Sequence, residues 1–235
     1  MENKNEVPRH IGIILDGNRR FAKKLVQKPW MGHEWGAKKV EKLFDWCREV
    51  GVREMTLYTF SMQNFNRPKE EFNHLMRIFS QVFSDAKNNE AVHKNRIRIR
   101  FLGRIHLFPS DVHAKMTELM EATKEYDSYT INFAMAYGGR EEIVDAVKKI
   151  GRLIEEGKIT DTEVSEELIS KNLYNDSQPD LIIRTGGDHR TSNFLVWQSS
   201  YSEWFFLEKT WPEFEKDDLL QCIAEFQQRE RRFGK

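Results

Sequence analysis

The feature that most restricts the fold is a run of five residues, Ile11-Gly12-Ile13-Ile14-Leu15, that carries no polar side chain and stops abruptly at Asp16-Gly17-Asn18. An apolar run without alternation reads as a strand covered on both faces, the habit of parallel sheets flanked by helices. Four cations, Arg19, Arg20, Lys23 and Lys24, crowd the positions that follow. In an open α/β sheet, ligands bind outside the carboxyl ends of the strands. Gly17 lets the backbone approach closely, and a helix starting here can offer N–H groups to an anion. Asp16 is the odd member, because an acid beside an anion site implies a metal ion, a proton transfer or a salt bridge.

The rest of the chain repeats this strand-then-helix alternation. Apolar residues recur at helical spacing from Val40 to Val50, closed by Gly51. Met55 to Phe60 is a strand, followed by the polar stretch Ser61 to Arg67. Pro68 suits a helix start, and Glu70 and Glu71 suit that helix's positive end. The helix carries Phe72, Leu75, Met76, Phe79, Val82, Phe83 and Ala86 on one face. Core packing accounts for such a stripe, and so does the lining of a pocket for an apolar substrate. Further strands are expected at Ile97 to Leu102, Thr130 to Tyr137 and Asp180 to Arg184, with helices after Pro109, over Ile143 to Ile150, over Ser165 to Tyr174 and over Leu219 to Phe226. The expected architecture is a single α/β domain over residues 1–235, a mostly parallel sheet covered by helices.

Composition removes several function classes. With 37 basic and 37 acidic residues the formal net charge is zero, so nothing draws the whole molecule to nucleic acid, and an anion site must be a local cluster. Cys47 and Cys222 fall in helical patterns without metal-ligand spacing and read as buried thiols in a reducing compartment. Residues 1–9 lack the apolar run of a signal peptide, and no stretch is long and apolar enough to span a bilayer. The expectation is a cytoplasmic protein, at most peripheral to a membrane.

Four expected strand ends carry unusual polar content: Asp16–Arg20, Ser61–Arg67, Gly138–Arg140 and Arg184–Ser192. Arginine's planar fork suits bidentate phosphate contact, and several arginines on one edge repel one another unless an anion holds them together. A diphosphate meets that requirement. Neither a Gly-x-x-x-x-Gly-Lys-Ser/Thr nor a Gly-x-Gly-x-x-Gly motif is present, so nucleotide hydrolysis and dinucleotide binding lack their signatures. Asp16 and Glu203 flank the basic loops, and two carboxylates with a diphosphate would suit Mg²⁺. His33, after Gly32, can protonate or hydrogen-bond a phosphate, or be structural.

Taken together and in order, Asp16-Gly-Asn-Arg-Arg20, Gly32-His33, Phe60-Ser-x-x-Asn-Phe-Asn-Arg-Pro68, Tyr137-Gly-Gly-Arg140, Arg184-Thr-Gly-Gly187 and Arg190-x-Ser-Asn-Phe-Leu-x-Trp-Gln198 resemble the cis-prenyltransferases, most closely their archaeal members. The resemblance runs over nearly the whole chain. It implies a six-stranded sheet with a hydrophobic tunnel, and repeated Mg²⁺-dependent addition of isopentenyl diphosphate to an allylic diphosphate with a cis double bond formed each time. Asp16 would hold Mg²⁺ and help ionise the allylic diphosphate, which Gly17, Asn18, Arg19, Arg20, His33 and Arg67 would grip. Phe21 and Phe65 would position its apolar part. Asn64, with Ser61 near it and Met62 and Gln63 beside it, would help remove the isopentenyl C2 proton. Arg184, Arg190, Thr191 and Ser192 would bind isopentenyl diphosphate, and Glu203 would complete the metal site. Arg232 and Gly234 match a terminal Arg-x-Gly that reaches the partner subunit's site in homodimeric members. Transient membrane contact would follow from so apolar a product.

Departures from the family pattern fall at Pro29, where an arginine is usual and Lys28 stands beside it, and at Glu34, Met62-Gln63 and Asp188. They leave room for a second reading, an atypical transferase joining the allylic group to another allylic diphosphate or to an alcohol. A third, a non-catalytic regulatory subunit, conflicts with the intact Asp16 and Arg184–Ser192 blocks.

Overall fold

The structure, a computed structural model, describes residues 6–229. Six strands, β1 (His10–Ile14), β2 (Glu54–Ser61), β3 (Ile97–Leu102), β4 (Tyr129–Tyr137), β5 (Leu181–Arg184) and β6 (Glu203–Phe206), form one sheet of order β3-β4-β2-β1-β5-β6. Every neighbouring pair is parallel, so all six carboxyl ends lie along one edge. The run that opened the sequence is the sheet's centre: all five residues of β1 are buried, between β2 and β5. Gly12 is needed there, since a Cβ would stand 3.1 Å from Ile182 and 3.2 Å from Phe194.

Helices α1 (Asn18–Lys24), α2 (Gly32–Val50), α3 (Lys69–Asn88), α4 (Glu90–Lys94), α5 (Ser110–Thr123), α6 (Gly139–Glu155), α7 (Glu166–Asn172) and α8 (Lys216–Gln228) supply the crossovers and cover. One face of the sheet, led by Ile11, Ile13, Leu57, Ile99, Ile131 and Ile183, packs on α2, α3, α5 and α8 through Leu43, Phe79, Met116 and Leu219. The other carries a smaller core of Ile14, Ala134, Tyr137, Ile182, Phe194 and Leu195. Beside it runs a buried polar chain. His10 Nε2 bonds Thr56 Oγ1 at 2.8 Å, Asn132 Nδ2 donates to Glu54 Oε1 at 2.7 Å, and Ser177 Oγ donates to Glu54 Oε2 at 2.8 Å.

The helix expected from Val40 starts earlier: a single 3-10 turn, Pro29–Met31, runs directly into α2, which begins at Gly32 and takes in His33. Gly32 permits this, because a Cβ there would lie 2.0 Å from Asn18 O and drive α2 off α1. The apolar stripe of α3 is packed core: Leu75, Met76, Phe79 and Phe83 are buried, and Phe83 meets the Phe101 ring at 4.7 Å between centroids. Each of these burials stabilises the fold by about 1.5–3 kcal/mol.

Candidate active site

β1 delivers Asp16 to the carboxyl edge, and three contacts fix its backbone there. Its carbonyl accepts from Trp211 N–H and from Thr185 Oγ1, both at 2.8 Å, and its own N–H donates to Ile14 O at 2.9 Å. Gly17 follows at φ 101, a left-handed turn in which a Cβ would meet Thr210 at 2.6 Å. Only glycine passes this corner without strain. The turn opens a cavity of about 340 Å³ walled by Leu15, Asp16, Gly17, Asn18, Arg19, Arg20, Lys23, His33 and Arg67. Its charged wall holds one carboxylate against four permanent cations, so the cavity is built for an anion.

Two carboxylates hold these cations in place. Glu71, in the first turn of α3 and 1% exposed, lies 3.1 Å from Arg67 Nη1, 3.3 Å from His33 Nε2 and 3.8 Å from Arg19 Nε. The hydrogen bond from His33 and the charges of Arg67 and Arg19 keep its carboxyl below the usual range despite burial. His33 Nε2 also sits 3.2 Å from Arg67 Nη1. Burial, with Arg67 adding to it, lowers the imidazole pKa, which favours neutral His33. On the other flank Asp188 gathers Arg190 in two contacts at 3.0 Å, Arg20 at 3.2 Å and Arg184 at 3.7 Å. Burial raises its pKa, but the Arg190, Arg20 and Arg184 charges outweigh that and lower it.

Arg184 ties the two halves together. It is 3% exposed, its Nη2 donates to Asp16 Oδ2 at 2.8 Å, and its Nη1 donates to Ser192 Oγ at 2.7 Å and to Arg190 O. Ser192 and Asn193 adopt left-handed backbone, φ 50 and 64, which folds the Arg190–Ser192 loop over the β5 end. Thr191 is exposed on that loop. The β2 end is a 3-10 turn, Met62–Asn66, locked by Asn64 Oδ1 accepting from Ser61 N–H at 2.9 Å. Met62 and Phe65 pack on the core from it, and Gln63 is exposed. Phe65 meets Phe60 edge-on at 5.0 Å and Phe108 at a tilt at 5.5 Å, and Phe21 meets Trp35 edge-on at 5.4 Å.

The expected site residues thus gather on one edge, with a clear exception. Glu203 is the first residue of β6 and pairs with Leu181, whereas Arg184 pairs with Phe206. That places Glu203 at the amino end of the sheet, roughly 10 Å along the strand from the Arg184 level. Its Oε2 accepts from Arg229 Nη1 at 2.6 Å. Asp16 and Glu203 therefore do not form a metal pair within one chain. Parallel order forces this, because an acid that begins one strand and an acid that follows the end of another lie at opposite edges of the sheet. Among the described residues no group of three or more His, Cys, Asp or Glu side chains is placed to hold a metal. Asp16 alone fits the Mg²⁺ habit of one carboxylate completed by substrate phosphate oxygens and water. Arg232 and Gly234 lie outside the described residues.

Sequence reasoning missed the counter-ions. Helix position alone gives Glu71 only a dipole role, although its i,i+4 spacing from Arg67 is a readable signal. In the sequence Asp188 reads only as a departure from the family pattern, and Lys23 only as a nearby cation.

The family model described as "Putative undecaprenyl diphosphate synthase" matches residues 14–234. The tritrans,polycis-undecaprenyl-diphosphate synthase (geranylgeranyl-diphosphate specific) of Thermococcus kodakarensis is 48% identical over 97% of this chain and 88% of its own. That of Methanopyrus kandleri is 46% identical over 99% and 86%. Among solved structures, lavandulyl diphosphate synthase from Lavandula x intermedia, in complex with dimethylallyl diphosphate, superposes with a TM-score of 0.93 at 32% identity, over 97% of this chain and 99% of that one. With the Asp16 turn, the arginine-lined cavity and the Arg184 loop on one sheet edge, these matches over nearly all its length mean that the chain belongs to the undecaprenyl diphosphate synthase family of cis-prenyltransferases.

Proposed function

We propose that the protein condenses isopentenyl diphosphate with an allylic diphosphate, geranylgeranyl diphosphate first among primers, to build a cis-polyprenyl diphosphate. The observation that carries the reading is the cavity that sets Asp16 among Arg19, Arg20, Lys23 and Arg67 beneath a parallel sheet edge. The primer preference rests on relatives at 46–48% identity being geranylgeranyl-diphosphate specific.

The chain's own groups fit the steps. Arg19, Arg20, Lys23 and Arg67 take the allylic diphosphate, and His33 lines the same wall beside Arg67. The allylic C1–O bond breaks with its electron pair leaving on the diphosphate, and this cavity stabilises that developing charge. Isopentenyl diphosphate, held by Arg190, Thr191 and Ser192 with Arg184 behind them, forms the new C–C bond to C1. Its C2 proton then passes to an oxygen of the departed diphosphate, forming the new double bond, with the Asn64 amide at the β2 end to position that region. Mg²⁺, when bound through Asp16, would add charge neutralisation on the departing diphosphate. The aromatic cluster of Phe60, Phe65, Phe72 and Phe79 lies behind this edge and suits the hydrocarbon tail. Val144, Val147 and Ile154, exposed along one side of α6, support assembly as a homodimer. No helix among the described residues is long and apolar enough to cross a membrane, and transient contact suits release of the product.

The test is purified protein with Mg²⁺, labelled isopentenyl diphosphate and a panel of allylic diphosphates, the products sized by chromatography. Stepwise elongation is expected, and no incorporation with any primer would overturn the reading. A second reading, one condensation between two allylic diphosphates, draws on the likeness to lavandulyl diphosphate synthase, whose complex holds the allylic dimethylallyl diphosphate. It requires a single short product from an allylic diphosphate supplied alone.

A further inference from the structure

One turn of the chain is built against its own side chain. α1 closes with Gln27 N–H donating to Ala22 O at 2.9 Å and Val26 N–H donating to Lys23 O at 3.1 Å. α2 closes with the same pair of bonds, Val52 N–H to Cys47 O at 2.9 Å and Gly51 N–H to Arg48 O at 3.2 Å. This closure needs a left-handed residue between the helix and its exit, and glycine is the usual choice. At the end of α2 that residue is Gly51, φ 93; at the end of α1 it is Val26, φ 55. A β-branched residue there is strained. Val26 is also 93% exposed, and Leu25 before it is 49% exposed. Neither the strain nor the exposure helps the fold.

The surroundings indicate what the tip is for. Lys23, Lys24 and Lys28 ring it, all exposed, and the Trp30 ring lies 5.1 Å from Lys28 Nζ. Among the described residues only Lys24 of the three forms an ion pair, with Glu213 at 2.9 Å. Two aliphatic side chains are far too little for the core of a protein–protein interface, and lysine is depleted from such cores. A short apolar tip with lysines and a tryptophan around it suits the boundary of an anionic bilayer. Lys23 belongs both to the tip and to the cavity wall, so a surface touching the tip lies close to the cavity mouth.

We propose that the Leu25–Val26 tip docks the protein on bilayers bearing anionic headgroups, the two aliphatic side chains entering between the lipids while Lys23 and Lys28 meet their phosphates. The proposal rests on the functional reading only for its purpose, delivery of an apolar product to lipid. Docking itself is measured without substrate.

The experiment sediments the full chain with phosphatidylcholine vesicles and with vesicles of mixed phosphatidylcholine and phosphatidylglycerol. The native protein is expected on the mixed vesicles, to be released by salt, and to stay off phosphatidylcholine alone. The double variant Leu25→Ser/Val26→Asn, in which asparagine tolerates the left-handed turn, is expected to bind about tenfold more weakly. It should melt no lower than the native protein, and without vesicles it should keep incorporating isopentenyl diphosphate onto a short soluble primer. Lys28→Glu is expected to weaken vesicle binding by about fivefold or more. The proposal is overturned if the native protein ignores mixed vesicles, if it binds both vesicle types equally, or if the double variant binds as tightly as the native protein. Absence of isopentenyl incorporation in the vesicle-free assay would instead sink the functional reading and leave the docking result standing.

Discussion

Asp16 and Glu71 show how differently two acids serve one cavity. Asp16 faces the cavity, held by Arg184 at 2.8 Å and Arg20 at 3.5 Å, and is the carboxylate available to a metal and diphosphate. Asp16→Ala is expected to reduce turnover by at least about 100-fold, the scale of removing a group that stabilises transition-state charge. Retained activity in that variant would end its assignment. Glu71 lies beneath the cavity's other two arginines and keeps Arg67 and Arg19 from repelling one another before substrate arrives, with His33 Nε2 3.3 Å from it. Glu71→Gln keeps the shape and removes the charge. It is expected to raise KM for the allylic diphosphate by about tenfold with a smaller change in kcat, since uniform binding is what it supports. A lowered melting temperature with an unaltered KM would make Glu71 a residue of the fold only.

At the scale of elements, the closures of α1 and α2 form a natural comparison. They share one hydrogen-bond pattern, yet one uses glycine and the other valine. Val26→Gly is therefore expected to stabilise the protein by about 1 kcal/mol, from relief of left-handed strain. For a chain of this size that raises the melting temperature by roughly 2–4 °C, and calorimetry of the two proteins checks it. A fall would mean that Val26 makes packing contacts that outweigh its strain. α3 stands at the other extreme, its Phe79 ring within 6.3 Å of Phe60 and Phe108 between centroids. Phe79→Ala is expected to destabilise the fold by about 3–5 kcal/mol, as loss of a fully packed aromatic does. A drop below 1 kcal/mol in urea unfolding would show that the cluster opens easily, as a tail-binding channel would.

Across the whole molecule, ionisation divides into two pH windows. Burial lowers the pKa of His10, against the Glu54 and Asp180 charges, and likewise that of His33. Unfolded histidine titrates near 6.5, so below that value the unfolded chain binds protons that the folded one resists. Stability should thus fall as pH drops from about 6.5 toward the lowered native values. Asp145, hydrogen-bonded by Arg104, and Glu213, hydrogen-bonded by Thr210 and Lys24, are both lowered to about 2. Their contribution is present above the ordinary carboxylate range and is lost between about pH 4 and about 2. Urea midpoints measured from pH 8 to pH 3 should show the first decline near pH 6 and a second in acid. A flat profile between pH 7 and pH 5 would contradict the histidine assignment.

How much was legible beforehand follows from what is local. The apolar run Ile11–Leu15, the Gly17 turn, the α2 stop at Gly51 and the alternation of strands with helices are properties of neighbouring residues, and these gave the parallel α/β class and all four polar strand ends. Packing decided the rest. The sheet order put Asp16 and Arg184 2.8 Å apart although 168 positions separate them in the chain. The β5–β6 register sent Glu203 to the opposite edge, against its expected partnership with Asp16. Glu71 pairs with Arg67 through a local i,i+4 spacing, but it meets His33 only because α2 packs against α3. The sequence alone determined which chemistry is present and which periodicity each segment obeys, because both are written within a few residues. Only the tertiary structure decided which charges meet, because ion pairs across elements depend on strand order and register, which no single segment contains.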